Sequence, residues 1–124
     1  MRTIGVEIEI IKMFNKLFNN LINSLNGLRV ATKEHSFKLE ILIGLFIFPL
    51  IIWGQIDFFF KIIISILYFF LLSFEIINTS IEKLCDKITT NIDKDIKNIK
   101  DLASASVFII LILLLSLLFI AFFY

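Results

Sequence analysis

The amino-acid sequence predicts an all-α membrane protein, with an N-terminal amphipathic surface helix followed by three transmembrane helices. The chain has 124 residues, of which 59% are hydrophobic. A soluble domain of this size could not bury so much apolar surface. The charged residues are also concentrated in blocks between long uncharged runs. We therefore expect one membrane domain that covers residues 1–124.

Residues 1–33 have the pattern of an amphipathic interfacial helix. Polar residues such as Lys12 and Asn19 separate apolar residues that recur at helical spacing. Such a helix lies in the membrane interface with its apolar face in the acyl region; the alternative is an ordinary helix packed on a core. Asn26-Gly27 predicts a turn near the end of this segment. The apolar stripe contains Ile8, Ile11, Phe14, Leu17, Phe18, Leu21, Ile22 and Leu25.

Three later segments, at about residues 37–54, 58–84 and 102–124, are apolar enough to be transmembrane helices. Residues 85–101 form the charged connection between the second and third. Lysines and arginines precede the first span and lie in the 85–101 connection, whereas Lys61 alone lies in the first hairpin. The positive-inside rule then places the N-terminus and the 85–101 connection in the cytoplasm.

The most informative residue is Glu75, which follows an uncharged run in the second span. Asn78, Glu82 and Asp86 follow it at the spacings i+3, i+7 and i+11. On a helix these four side chains fall within about 80° of one another. A carboxylate inside a membrane segment usually faces a polar partner or cavity, so Glu75 is a candidate general base. The alternative is a hydrogen-bonded carboxyl group that joins helices.

Several carboxylates on one face could bind Mg2+, which prefers oxygen ligands. Glu34 and Glu40 are candidate co-ligands that only the fold could bring close. Lys100-Asp101, just before the third span, provides a cation and an acceptor suited to a phosphate group. No glycine lies near Lys100. The sequence therefore lacks a glycine-rich phosphate loop, and ATP would be held by side chains.

Residues 75–86 resemble the E-x-x-N-S/T-x-x-E-x-x-x-D signature of the prokaryotic integral-membrane diacylglycerol kinase family, which includes undecaprenol kinases. Lys100-Asp101 and the small residues after it stand at the distance found in that family. Upstream, residues 27–31 and 34–38 resemble the family patterns G-I/L-x-x-A and E-x-x-F-R/K. The resemblance extends from about residue 14 to residue 120.

The resemblance implies an ATP-dependent kinase that converts diacylglycerol to phosphatidic acid, with Glu75 as the base and Mg2+ bound by Glu34 and Glu82. It implies a multi-pass protein of the bacterial inner membrane and a homotrimer with shared active sites, with no nucleic-acid partner. Glu40 favours diacylglycerol over undecaprenol, which is the alternative substrate. Residues 90–97 depart from the family pattern, which affects the expected adenine contacts. The expected nucleotide-binding residues are Asn78, Asp86, Lys100, Asp101 and Arg29.

Two non-enzymatic interpretations also account for the hydropathy. One is a small membrane scaffold, which gives no reason for the carboxylates to share a face. The other is an ion-conducting oligomer in which Glu75 relays protons.

Overall fold

The computed structural model describes residues 2–89, 91 and 93–123, with side chains from residue 9 onwards. Within these residues the chain forms four helices: α1 (Arg2–Ala31), α2 (His35–Trp53), α3 (Phe58–Ile88) and α4 (Lys94–Phe123). Three of them, α2, α3 and α4, are long and apolar enough to cross a membrane. This confirms the all-helical fold with three candidate spans. The trimer and the interfacial position of α1 remain predictions.

Helix α1 belongs to the first of two compact units, which extends to Glu34. The turn predicted at Asn26-Gly27 is wrong, because α1 continues through both residues to Ala31. Glycine lowers the stability of a helix interior by only about 1 kcal/mol relative to alanine, so a long helix tolerates it. From residue 9 onwards, the large apolar side chains of α1 are exposed, among them Ile11, Phe14, Leu17, Phe18, Leu21 and Leu25.

The second unit begins at His35 and contains the three candidate spans. Helix α3 is its central element and packs against both α2 and α4. Outside the core, the large apolar side chains of these helices are mostly exposed. Lipid or another apolar surface must therefore cover them. The core is formed by Ile47 and Ile51 of α2, Ile64, Tyr68 and Leu71 of α3, and Leu114 of α4.

The connection between α2 and α3 is short, and side-chain hydrogen bonds of Asp57 and Lys61 hold it to both helices. Asp57 caps α3 by accepting a hydrogen bond from the Phe59 N–H at 2.8 Å. The Lys61 ammonium donates to the carbonyl oxygens of Ile52 and Gly54, at 3.3 and 3.2 Å. Carbonyls at a helix end have no partner within the helix, and Lys61 supplies one for α2.

The connection between α3 and α4 is shorter than the predicted 85–101 segment, because α3 extends to Ile88 and α4 begins at Lys94. Asp93 caps α4: its Oδ1 accepts hydrogen bonds from the N–H groups of Asp95 and Ile96, each at 2.9 Å. A helix in water can carry charged side chains up to its capped end, so the increase in polarity at residue 85 does not mark the end of α3. Residues 90 and 92 of the divergent 90–97 segment lie outside the described residues.

Candidate active site

One stripe of α3 contains the buried residues of this helix, both polar and apolar. From Ile64 to Asn78 the spacing alternates between four and three residues, and Cys85 follows seven residues later, which keeps an average repeat of about 3.5. A straight α-helix has 3.6 residues per turn, so such a stripe drifts by about 20° per heptad. The buried members are Ile64, Tyr68, Leu71, Glu75, Asn78 and Cys85.

Glu75 lies in the middle of this stripe and is only 4% exposed. Asn78, one turn further along α3, is 7% exposed. A buried carboxyl group requires a polar partner or a functional reason, because it loses its hydration. The buried carboxyl and carboxamide groups of the described residues therefore belong to the face predicted from the sequence.

Asn78 lies between the buried Glu75 and the more accessible Glu82 along α3 and is hydrogen-bonded to Glu82. Its Nδ2 donates to Glu82 Oε1 at 3.3 Å. Its Oδ1 is shielded from solvent and has no hydrogen-bond partner among the described residues. A buried amide oxygen normally accepts at least one hydrogen bond, so this atom is available to a ligand.

Further along, an ion pair joins α3 to α4. The Lys100 ammonium donates to Asp86 Oδ1, and their side chains are 34% and 65% exposed. Lys100 also interacts electrostatically with Glu82. Asp101 is exposed beside it. The arrangement places a cation next to two carboxylates at the cytoplasmic end predicted for α3.

Asp86 does not share the burial of the other polar residues on its predicted face. Cys85 takes the buried position instead, and Asp86 lies on the exposed rim. The drift of the buried stripe explains this difference. Two heptads beyond Tyr68, the stripe has shifted around the axis of α3, away from the side of the helix that carries Asp86.

A second group near Glu75 is formed by Glu40, which the sequence predicts as a candidate co-ligand, and by Tyr68, which is not among the predicted site residues. The Tyr68 hydroxyl donates to the Glu40 carbonyl oxygen at 3.0 Å. Glu40 Oε2 is shielded and makes no hydrogen bond within the described part of the chain, and Glu40 interacts electrostatically with Glu75. One sequence signal was available, since Tyr68 precedes Glu75 by seven residues and so lies on the same helical face.

The comparison with protein families decides the class of this chain. The family model for prokaryotic diacylglycerol kinase matches residues 22–122. The chain belongs to the prokaryotic diacylglycerol kinase family. No curated protein matches the chain.

Membership in the prokaryotic diacylglycerol kinase family makes the protein a lipid kinase, a phosphotransferase that uses ATP. The three apolar helices agree with a membrane location for this kinase.

Two residues predicted for the kinase site lie in the first compact unit. Arg29 is in the last turn of α1. Glu34 follows that helix, and its N–H donates to the Ala31 carbonyl oxygen at 2.9 Å. Their roles in binding nucleotide and metal remain predictions.

The described residues contain no group of three or more His, Cys, Asp or Glu side chains that could hold a metal ion. Mg2+ in kinases is usually bound by one or two carboxylates together with phosphate oxygens and water, and so does not require such a group. The Glu82 carboxylate and the unpartnered Asn78 Oδ1 are hard oxygen donors one turn apart. These residues fit Mg2+ bound together with ATP.

Proposed function

We propose that this lipid kinase transfers the γ-phosphoryl group of ATP to the hydroxyl group of diacylglycerol, giving phosphatidic acid and ADP. The observation that carries the proposal is the burial of Glu75 on the same helical face as Asn78 and Glu82. Further along α3, the exposed Asp86 forms an ion pair with Lys100. The helix thus leads from a buried carboxyl group to an exposed charged rim.

Glu75 is the general base in this proposal. Its carboxylate takes the proton of the lipid hydroxyl while the lipid oxygen forms a bond to the γ-phosphorus. The bond from that phosphorus to the β–γ bridging oxygen breaks, and ADP carries away the electron pair. Glu75 is only 4% exposed, so bulk water has little access to its carboxyl group.

The charged rim holds the nucleotide. Lys100 lies beside Asp86 and Glu82 and can pair with phosphate oxygens through its ammonium group. Asn78 offers its unpartnered Oδ1. Phosphoryl transfer depends mainly on such positioning and on charge neutralisation. The remaining proposed nucleotide contacts are Asp86, Asp101 and Arg29.

Glu34 and Glu82 would hold Mg2+ in the complex with ATP. When bound, the ion would neutralise negative charge on the phosphates of ATP. Glu82 remains accessible enough to reach a bound nucleotide, because it is only partly buried.

We further propose that the kinase is a homotrimer in the bacterial inner membrane, with its N-terminus in the cytoplasm and α1 at the membrane interface. Two features support this. The apolar surface left exposed on α2, α3 and α4 can be covered by other copies and by lipid. The large apolar side chains of α1 suit the acyl boundary.

The decisive experiment measures turnover of Glu75→Gln with ATP and diacylglycerol in mixed micelles. Loss of a general base should lower kcat by about 10²- to 10⁴-fold while the helical content is kept. Glu9→Gln is the matched control, since Glu9 is an exposed glutamate of α1. Near-normal turnover of Glu75→Gln would refute the role of Glu75 as base.

Undecaprenol is the second candidate substrate. Wild-type protein should be assayed with both lipids under the same conditions, and kcat/KM should be higher for diacylglycerol. A higher kcat/KM for undecaprenol would assign the enzyme to the undecaprenol kinases. Ion conductance in liposomes without any transfer of phosphate would favour the ion-conducting oligomer.

A further inference from the structure

Tyr68 is a buried polar side chain that α3 directs towards α2. It is 4% exposed, and its hydroxyl donates to the Glu40 carbonyl oxygen at 3.0 Å. In an α-helix that carbonyl also accepts the N–H of the residue four positions ahead, which is Gly44. The hydroxyl therefore lies directly against Gly44, where an added Cβ would be only 2.1 Å from Tyr68 Oη.

A second contact fixes the ring of Tyr68. Phe48, one turn beyond Gly44, meets the ring edge-on with the centroids 5.2 Å apart and an interplanar angle of 88°. Glu40, Gly44 and Phe48, spaced by four residues along α2, thus all lie against the Tyr68 side chain. A phenylalanine could make the ring contacts equally well, so the hydroxyl adds one directed bond between the two helices.

The hydrogen bond from the Tyr68 hydroxyl to the Glu40 carbonyl oxygen fixes the position of this part of α2 along α3. The Glu40 carboxyl group is directed into the protein, where its Oε2 is shielded and without a partner among the described residues. Tyr68 and Glu75 lie on the same buried face of α3, about two helical turns apart. The register of α2 along α3 therefore determines where the Glu40 carboxyl group stands relative to Glu75.

We propose that Tyr68 is a positioning residue of the kinase reaction, whose hydroxyl locks the register of α2 so that Glu40 stays beside Glu75. The proposal rests on the proposed role of Glu75 as the general base. Tyr68 acts through Glu40. A shift of about 1 Å at a reacting group can lower the rate about 100-fold, so a single directed bond can matter.

The test compares Tyr68→Phe with wild type in full-length protein in mixed micelles. We expect kcat for lipid phosphorylation to fall about tenfold. KM for ATP should change by less than about twofold, because the proposed nucleotide contacts lie nearer the C-terminal end of α3. These are Asn78 of α3 and Lys100 of α4, which pairs with Asp86. Ser73→Ala is the matched control: it also removes a hydroxyl that donates to a carbonyl at 2.8 Å, but within α3 itself. It should leave kcat unchanged.

A double-mutant cycle with Glu40→Gln separates positioning from general support of the fold. Glu40→Gln keeps the backbone carbonyl that Tyr68 contacts but removes the carboxylate. If Tyr68 acts through Glu40, Tyr68→Phe should lower kcat by less than about twofold in the Glu40→Gln background. The same tenfold fall in both backgrounds would overturn the proposal.

Gly44→Ala provides an independent variant, because it displaces the same hydroxyl from the α2 side. It should also lower kcat without raising KM for ATP. Normal kcat in both Tyr68→Phe and Gly44→Ala would overturn the proposal and leave the kinase assignment intact. Failure of the proposed function is a different result, namely wild-type protein that phosphorylates no lipid.

Discussion

Replacement of Gly44 by alanine places a methyl group where the Tyr68 side chain already lies. The new Cβ would be 2.1 Å from Tyr68 Oη, 2.4 Å from Cζ and 2.9 Å from Cε2. Ordinary contacts begin at 3.4 Å, so the hydroxyl and the methyl group must separate by roughly 1.3 Å. Because Tyr68 is buried between α2 and α3, that movement must displace either the ring or the helix.

The expected loss of stability has three contributions. Overpacking of a filled interior costs about 1–3 kcal/mol. Loss of the Tyr68–Glu40 hydrogen bond adds about 0.6 kcal/mol, the average for such bonds in a membrane. Alanine returns about 1 kcal/mol through its higher helix propensity. We therefore expect Gly44→Ala to lower the free energy of unfolding by about 0.6–2.6 kcal/mol.

The assay is equilibrium unfolding of the full-length protein in mixed micelles with increasing SDS, followed by circular dichroism and by residual kinase activity. Gly27→Ala is the matched control. It makes the same substitution inside α1, where an added Cβ meets nothing within 4 Å. Its stability should stay the same or rise by up to about 1 kcal/mol, because only the propensity contribution applies.

A third variant tests the cause of the loss. Tyr68→Leu combined with Gly44→Ala removes the clash and should recover most of the stability but not the turnover number. Equal stability of Gly44→Ala and Gly27→Ala would refute the reasoning, since the contact with Tyr68 would then have no energetic consequence. Failure of Tyr68→Leu to rescue Gly44→Ala would do the same.

Three further predictions concern the rim and the helix ends. Lys100→Met should raise KM for ATP about tenfold by removing a phosphate contact, whereas Lys97→Met, an exposed lysine one turn earlier, should not; equal effects would argue against a specific contact. Activity should be lost in EDTA and return with Mg2+, and Glu82→Gln should raise the Mg2+ concentration for half-maximal activity; an unchanged requirement would remove Glu82 as a ligand. Asp57→Ala should lower the free energy of unfolding by about 1 kcal/mol through loss of the α3 cap, without changing either KM; an unchanged stability would show the cap to be dispensable.

The sequence was sufficient for the number and the type of helices. Long uncharged runs leave few alternatives to membrane helices, because a backbone in lipid must satisfy its own hydrogen bonds. Glu75 and Asn78 were placed on one face from spacing alone, and both are buried on one stripe of α3. Spacing suffices over one or two turns, because the drift of the stripe is then small.

The ends and the contacts of the helices required the structure. Polarity marked residue 85 as the start of a connection, yet α3 extends to Ile88. Polarity reports the surrounding solvent, whereas a helix ends where capping allows it. Cys85 is buried instead of Asp86, because the drift accumulates over the length of a long helix. The contact of Tyr68 with Gly44 depends on the relative register of two helices, which neither sequence alone specifies.

The central position of α3 has a consequence for the order in which the chain can assemble. Each packed pair, α2 with α3 and α3 with α4, is joined by a short connection, so every main contact forms between neighbours in the chain. Such local contacts close small loops and favour rapid association. The first pair can therefore form as soon as α3 has entered the membrane, before α4 is complete. The last helix then needs to find only the partner that has just preceded it.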